Sequence, residues 1–154
     1  MKKQDGQVFS SRAPKPVGPY PHARRVGDLI FVSGIGPRTP GTNDIPGVRR
    51  NQAGEIIDHD IAAQTRSVVE NIKVILEDAG SSLEEIVDVT VFLTDIARDF
   101  AAFNEVYGQF FGEIQPSRTT VGVTGLPTPI AIELKVIAFS PRQAPEDRKS
   151  LAGF

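Results

Sequence analysis

Between Asp60 and Ala79 the residues Ile61, Thr65, Val68, Ile72, Ile75 and Ala79 recur at helical spacing, with Val69 and Leu76 widening the stripe. Asp58 or Asp60 can cap the start of this predicted helix. Gly80 follows its last turn, where a left-handed residue is wanted. The period then changes to two: Val87, Val89, Val91 and Leu93 alternate with Asp88, Thr90 and Phe92, which predicts a strand. Asp99 is the expected cap of a second helix, about Phe100 to Gly112, burying Phe103, Val106, Tyr107 and Phe110. Two further strands are expected near the C-terminus, Arg118 to Val123 and Ile130 to Ala138. Upstream, Tyr20 to Val26 and Leu29 to Ile35 flank Gly27-Asp28, a hairpin signal suited to a primed turn. A short strand is possible around Val8 to Ser10. Pro37 to Gly54 has no period and reads as one long loop, a length often tied to function or motion.

The element order is β-β-α-β-α-β-β, an α+β plan with two helices on one face of a mixed sheet. An N-terminal segment (1–17) precedes a single domain (18–139), and a tail (140–154) follows. No spare helix covers the second face of the sheet. Apolar residues on both faces then predict self-association.

Arg118 and Glu133 stand in strand-like apolar sequence and are the most informative charges. Alternation sends Arg118 and Thr120 to one face of their strand, and Glu133 and Lys135 to one face of theirs. If Thr124 to Pro129 is a turn, the two strands run antiparallel. A register burying Ile132, Leu134 and Val136 with Thr119, Val121 and Val123 places Arg118 and Glu133 on the same side. A guanidinium fork that grips a carboxylate, near a glutamate able to move a proton, suits acid–base chemistry on a small organic acid. The same two residues also fit a cross-strand ion pair contributing about 0.2–1 kcal/mol. The residues alone leave both readings open.

Composition removes many other chemistries. The chain of 154 residues has 40% hydrophobic and 23% charged residues and a formal net charge of −2, which gives no electrostatic reason to expect nucleic acid or an acidic membrane as partner. The absence of cysteine removes disulfides, thiolate nucleophiles and cysteine metal sites. His22 and His59 lie far apart in sequence and read as surface or strand-end residues rather than metal ligands. No phosphate-binding glycine motif and no nucleophile elbow is present. An enzyme built this way would work without cofactor or metal. No stretch is long enough for a membrane span, and the N-terminus lacks the apolar run of a secretory signal, so a cytoplasmic location is the default expectation.

Taken in order, several short motifs give the chain a family resemblance. They are Gly18-Pro19-Tyr20, Phe31-Val32-Ser33-Gly34, Gln64-Thr65-Arg66 with Glu70-Asn71, and Leu76 to Leu83. Val91 to Asp95, Phe103-Asn104-Glu105-Val106-Tyr107, Pro116 to Val121 and Ile132-Glu133 follow. With these the chain resembles the YjgF/YER057c/UK114 (RidA) family from about Gly18 to Ala138. Within it the chain is most similar to 2-aminomuconate deaminases, through Ser33 to Arg38, the insertion with Ile45 to Val48, and Leu126 to Ala131 leading into Glu133.

The resemblance implies a chorismate-mutase-like fold, a homotrimer and active sites in clefts between subunits. It implies that Arg118 binds a substrate carboxylate and that Glu133 activates water. Tyr20, Ser33 and Asn104 would line the cleft, and backbone groups near Gly34 and Ile35 would complete it. The implied activity is hydrolytic deamination of a small enamine or imine carboxylate, 2-aminomuconate to 4-oxalocrotonate in aromatic catabolism. The alternatives are a broad 2-iminoacid deaminase and a non-catalytic trimeric metabolite-binding module. The chain departs from the family in four places. Ile35 stands where glutamine is common, Thr120 where cysteine is frequent and Lys135 where an acid is usual, and the Pro37 to Gly54 loop exceeds the usual length. The extra charge of Lys135 would suit a dianionic substrate.

Overall fold

The computed structural model describes residues 5–141. Eight strands and two long helices follow in the order β1 (Gln7–Val8), β2 (Ala23–Val26), β3 (Leu29–Val32), β4 (Val48–Arg50), β5 (Ile56–His59), α1 (Ile61–Asp78), β6 (Ile86–Leu93), α2 (Ile96–Phe111), β7 (Ser117–Gly122) and β8 (Ile132–Phe139). Six strands form one mixed sheet in the order β1-β2-β3-β8-β6-β7, in which only β6 and β7 run parallel. The expected α+β plan is present. Gly27 has φ +59° at the first central position of the β2–β3 turn, which fits a primed hairpin.

Both helices lie on one face of this sheet. Ile30, Val32, Val89, Val91, Leu93, Ile132, Leu134 and Val136 are fully buried with Val68, Ile72, Ile75 and Phe103 in one core. The opposite face carries Leu29, Phe31, Val121 and Phe139, each at least about one-third exposed. The N-terminal segment reaches the sheet through β1, and Arg12 ties it to α1 by ion pairs to Glu77 and Asp78. After β8, Ser140 is buried. Its N–H donates to the Asp28 carbonyl, and its carbonyl and hydroxyl accept from Arg25. The tail expected after it lies mostly outside the described residues.

Four expectations are corrected. The segment 37–54 is not a featureless loop: it contains β4, which pairs with β5 just beyond the segment as a separate hairpin. Helix α2 starts earlier than expected, capped by the Asp95 side chain accepting from Arg98 N–H. Asp99 is instead buried, paired with His59 at 2.8 Å, because its position one turn into the helix faces the β4–β5 hairpin. Phe111 rather than Phe110 is the fully buried aromatic at the helix end. Finally, β7 and β8 are not neighbours. Strand β6 lies between them, pairing parallel with β7 and antiparallel with β8. Helix α2 is long enough to carry the chain across from the end of β6 to the start of β7, the connection that parallel strands require.

Candidate active site

This pairing decides where the two key charges point. Val89 sits opposite Arg118 and Val91 opposite Thr120, so both β7 residues share the face of the buried valines, the helix side. Phe92 sits opposite Glu133 and Thr90 opposite Lys135, so these β8 residues take the open face. Arg118 and Glu133 are therefore on opposite faces of the sheet within one chain. The expected common side is corrected, and with it the cross-strand ion pair. The assumed inward set, Thr119 and Val121, is exposed. A shift of one position along a strand exchanges its faces.

Two half-sites result. The first is a cleft of about 320 Å³ lined by Val17, Tyr20, Ser33, Gly34, Arg38 and Glu133, with Lys135 also on its wall. Ser33 stands just after β3, where its hydroxyl donates to the Pro21 carbonyl at 2.7 Å. Tyr20 folds back so that its hydroxyl accepts from Val17 N–H. Gly34 leaves the Glu133 carboxylate its place: a Cβ there would overlap the carboxylate and displace it. Burial pushes the Glu133 carboxyl above the usual carboxylate range, opposed by the positive charge of Lys135. Lys135 itself donates to the Val32 carbonyl at 3.1 Å.

Polar residues on the inner face of α1 hold this cleft together. Gln64 is fully buried and accepts from Ala131 N–H, fixing the approach to β8. Asn71, also buried, donates to the Gly36 and Arg38 carbonyls. Neither was expected from the apolar stripe, although both lie in the motifs that carry the resemblance. Ile35 turns away from the cleft. Its side chain is buried, and its N–H and C=O both pair with Leu134, so its backbone is committed to the sheet. His22 is buried too, its ring nitrogens engaged by Ser10 N–H and the Pro14 carbonyl, because it closes the crossing between the N-terminal segment and β2.

The second half-site surrounds Arg118. Its guanidinium lies over Tyr107, 4.6 Å from the ring centroid, and also flanks Phe103 and Phe100. One N–H donates to Asn104 Oδ1 at 2.8 Å. Thr120 follows on the same strand face. The hydroxyl oxygens of Thr120 and Tyr107 are buried with no hydrogen-bond partner among the described residues. Burial raises the Tyr107 phenol, with Arg118 opposing the shift. No carboxylate among the described residues pairs with Arg118, which leaves most of its fork available to an anion.

Residues 10–140 match the family model described as Endoribonuclease L-PSP. A RutC family protein of Pyrococcus abyssi is 48% identical over 132 residues, 86% of this chain and 94% of its own length. The chain belongs to the YjgF/RidA family. TdcF of Escherichia coli strain K12, whose name proposes a reactive intermediate deaminase, is 39% identical over 134 residues, 85% of this chain and 94% of its own. Among solved structures, E. coli TdcF with bound serine matches with a TM-score of 0.74 and 38% identity, covering 86% of this chain and 97% of that one. RidA from an Antarctic Psychrobacter matches with a TM-score of 0.73 and 34% identity, covering 86% and 98%. These likenesses confirm the YjgF/RidA fold, and the family match spans both half-sites.

Proposed function

We propose that the chain is a hydrolytic deaminase of small imine or enamine carboxylates, and that its active site is assembled from the two half-sites on different copies. Glu133 carries the assignment: a half-buried carboxyl with a raised proton affinity stands in a cleft wide enough for a small acid. The partner copy would bring Arg118, Asn104 and Thr120 to the mouth of that cleft. The exposed Leu29, Phe31 and Phe139 give the open sheet face apolar surface for such an assembly, which we take to be a homotrimer on the family resemblance.

In this scheme the enamine first becomes the imine by proton transfer to carbon. Arg118 holds the adjacent carboxylate in a bidentate grip and fixes the imine carbon. Glu133 takes a proton from water as the water oxygen bonds to that carbon and returns it to the nitrogen, giving a carbinolamine. The carbinolamine hydroxyl then gives its proton, through Glu133, to the nitrogen as the C–N bond breaks and C=O forms, and ammonia and a keto acid leave. Positioned acid–base assistance typically contributes ~10²–10⁴-fold. The finer reading is 2-aminomuconate, hydrolysed to 4-oxalocrotonate, for which Lys135 supplies extra positive charge. The endoribonuclease description of the family model draws less support from this chain, whose net charge of −2 provides no basic track for a phosphate backbone.

Ammonia release measured with 2-iminopropionate and with 2-aminomuconate tests the assignment. Release from either is expected, faster for the dicarboxylate. Release from neither, with small carboxylates still bound, would make the chain a binding module instead.

A further inference from the structure

Arg38 lines the Glu133 cleft of the same chain, and the chemistry above leaves it unused. The backbone from Gly36 to Arg38 is held from α1 by three hydrogen bonds: Ser67 Oγ donates to the Pro37 carbonyl at 2.7 Å, and Asn71 Nδ2 donates to the Gly36 and Arg38 carbonyls at 3.0 and 2.9 Å. The Arg38 side chain is held at the far end. Nη1 donates to Asn43 Oδ1 at 2.9 Å and Nη2 to the Lys15 carbonyl at 2.7 Å. Asn43 reaches that place from a tight turn in which it adopts φ +61°, a conformation asparagine tolerates better than most residues. Thr39 N–H donates to Asp44 O and Asn43 N–H to Thr39 O, closing the turn.

Both partners of the guanidinium are neutral. No carboxylate among the described residues forms an ion pair with Arg38. A guanidinium has five N–H donors in a planar fork, so a carboxylate-binding pair remains open after these two bonds. Lys135 lines the same cleft, also without a carboxylate ion pair among the described residues. The cleft thus holds two cations, Arg38 and Lys135, against a single carboxyl, Glu133, whose ionised form Lys135 favours. A monocarboxylate already gripped by Arg118 would neutralise neither cation. A substrate with a second carboxylate at its other end would.

We propose, resting on the deaminase assignment of this cleft, that Arg38 anchors the distal carboxylate of a dicarboxylate imine, with Lys135 beside it. The cleft would then select unsaturated dicarboxylates over three-carbon imines, and the Thr39–Asp44 turn, by setting where Arg38 stands, would set the preferred chain length. At about 320 Å³ the cleft falls at the lower end of the ~300–1,000 Å³ range of small-molecule sites, more room than a three-carbon acid fills.

The test compares wild type, Arg38→Met and Asn43→Ala. Two readouts are used: calorimetric binding of cis,cis-muconate, which cannot be deaminated, and kcat/KM for 2-aminomuconate relative to 2-iminopropionate. Loss of a charged hydrogen-bond pair is expected to weaken muconate binding by about tenfold or more in Arg38→Met, and to lower the substrate ratio by a similar factor. Asn43→Ala, which removes one hold on the guanidinium and keeps it present, should give a smaller loss in the same direction. Unaltered muconate affinity in folded Arg38→Met, or an equal fall for both substrates, would overturn the proposal. Absence of ammonia release from wild type would overturn the deaminase assignment alone, because muconate binding still decides the role of Arg38.

Discussion

The Glu133 carboxylate occupies the space that a side chain on Gly34 would need. The residue after Ser33 is therefore fixed by the position of an acid ninety-nine positions later in the chain, on the neighbouring part of the sheet. Gly34→Ala should displace the carboxylate at small cost to the fold, since Glu133 is long and its far end can move. We expect kcat to fall by about tenfold or more, as for a misplaced acid–base group, with little change in melting temperature. Gly125→Ala, where an added Cβ meets nothing within 4 Å, is the control and should leave both unaltered. An active Gly34→Ala enzyme would remove Glu133 from the mechanism.

Glu133 also predicts a pH dependence. Burial raises its proton affinity, so the acidic limb of kcat/KM should lie above the ordinary glutamate value of about 4.3. Lys135 opposes that rise, so Lys135→Met should move the limb higher, and Glu133→Gln should lose both the limb and most turnover. Stability follows with the opposite sign. The fold favours the protonated form, so the native state loses stability as pH rises from the unfolded value through the raised folded one. Glu133→Gln should therefore melt higher than wild type at neutral pH and match it in acid. Melting curves across that range, alongside pH–rate profiles, check both statements.

Arg118 should act on capture more than on turnover. Arg118→Ala removes the carboxylate grip, and Arg118→Lys keeps the charge while losing the fork. A charged hydrogen bond contributes about 1.5–3 kcal/mol, so KM should rise roughly 10- to 100-fold in the alanine variant, with a smaller fall in kcat. Steady-state kinetics separate the two. A variant with unaltered KM would deny Arg118 any contact with substrate.

Asp99 offers a test of the fold away from the site. Its buried carboxylate binds His59 at 2.8 Å and is approached by Arg98 at 3.6 Å, fastening the β4–β5 hairpin to α2. Asp99→Ala should cost about 1.5–3 kcal/mol, the range for hydrogen bonds to charged groups. It should also speed hydrogen exchange in residues 48–59. Removing the exposed Arg12–Glu77 pair, by contrast, should leave stability nearly unaltered, because solvent screens it.

Much of this molecule is legible in its sequence. The stripe from Ile61 to Leu76, the alternation before Leu93 and the Gly27-Asp28 turn each state a local preference that packing then confirms. What sequence could not give is the choice between two faces of β7. Alternation separates Arg118 and Thr120 from Thr119 and Val121 but does not say which pair is inward. Hydrophobicity favours the wrong pair. Arg118 is turned inward because three aromatic rings of α2 receive its guanidinium, a tertiary contact no local pattern records. Likewise the adjacency of β7 and β8 in sequence suggested a hairpin, whereas the connection through α2 seats β7 beside β6. Gln64, Asn71 and Arg38 went unassigned because buried or cleft-facing polar side chains look like surface residues until their partners are known.

One idea underlies the chemistry: the acid and the guanidinium that complete a site come from different copies of the chain. Mixing two impaired variants, assayed with substrate well below the wild-type KM, tests this directly. Glu133→Gln and Arg118→Ala chains, unfolded and refolded together in equal amounts, should regain activity, because about one quarter of the sites in randomly mixed oligomers would pair an intact Arg118 with an intact Glu133. Each variant refolded alone should keep its own low kcat/KM. Mixed oligomers no faster than their parents would contradict the account.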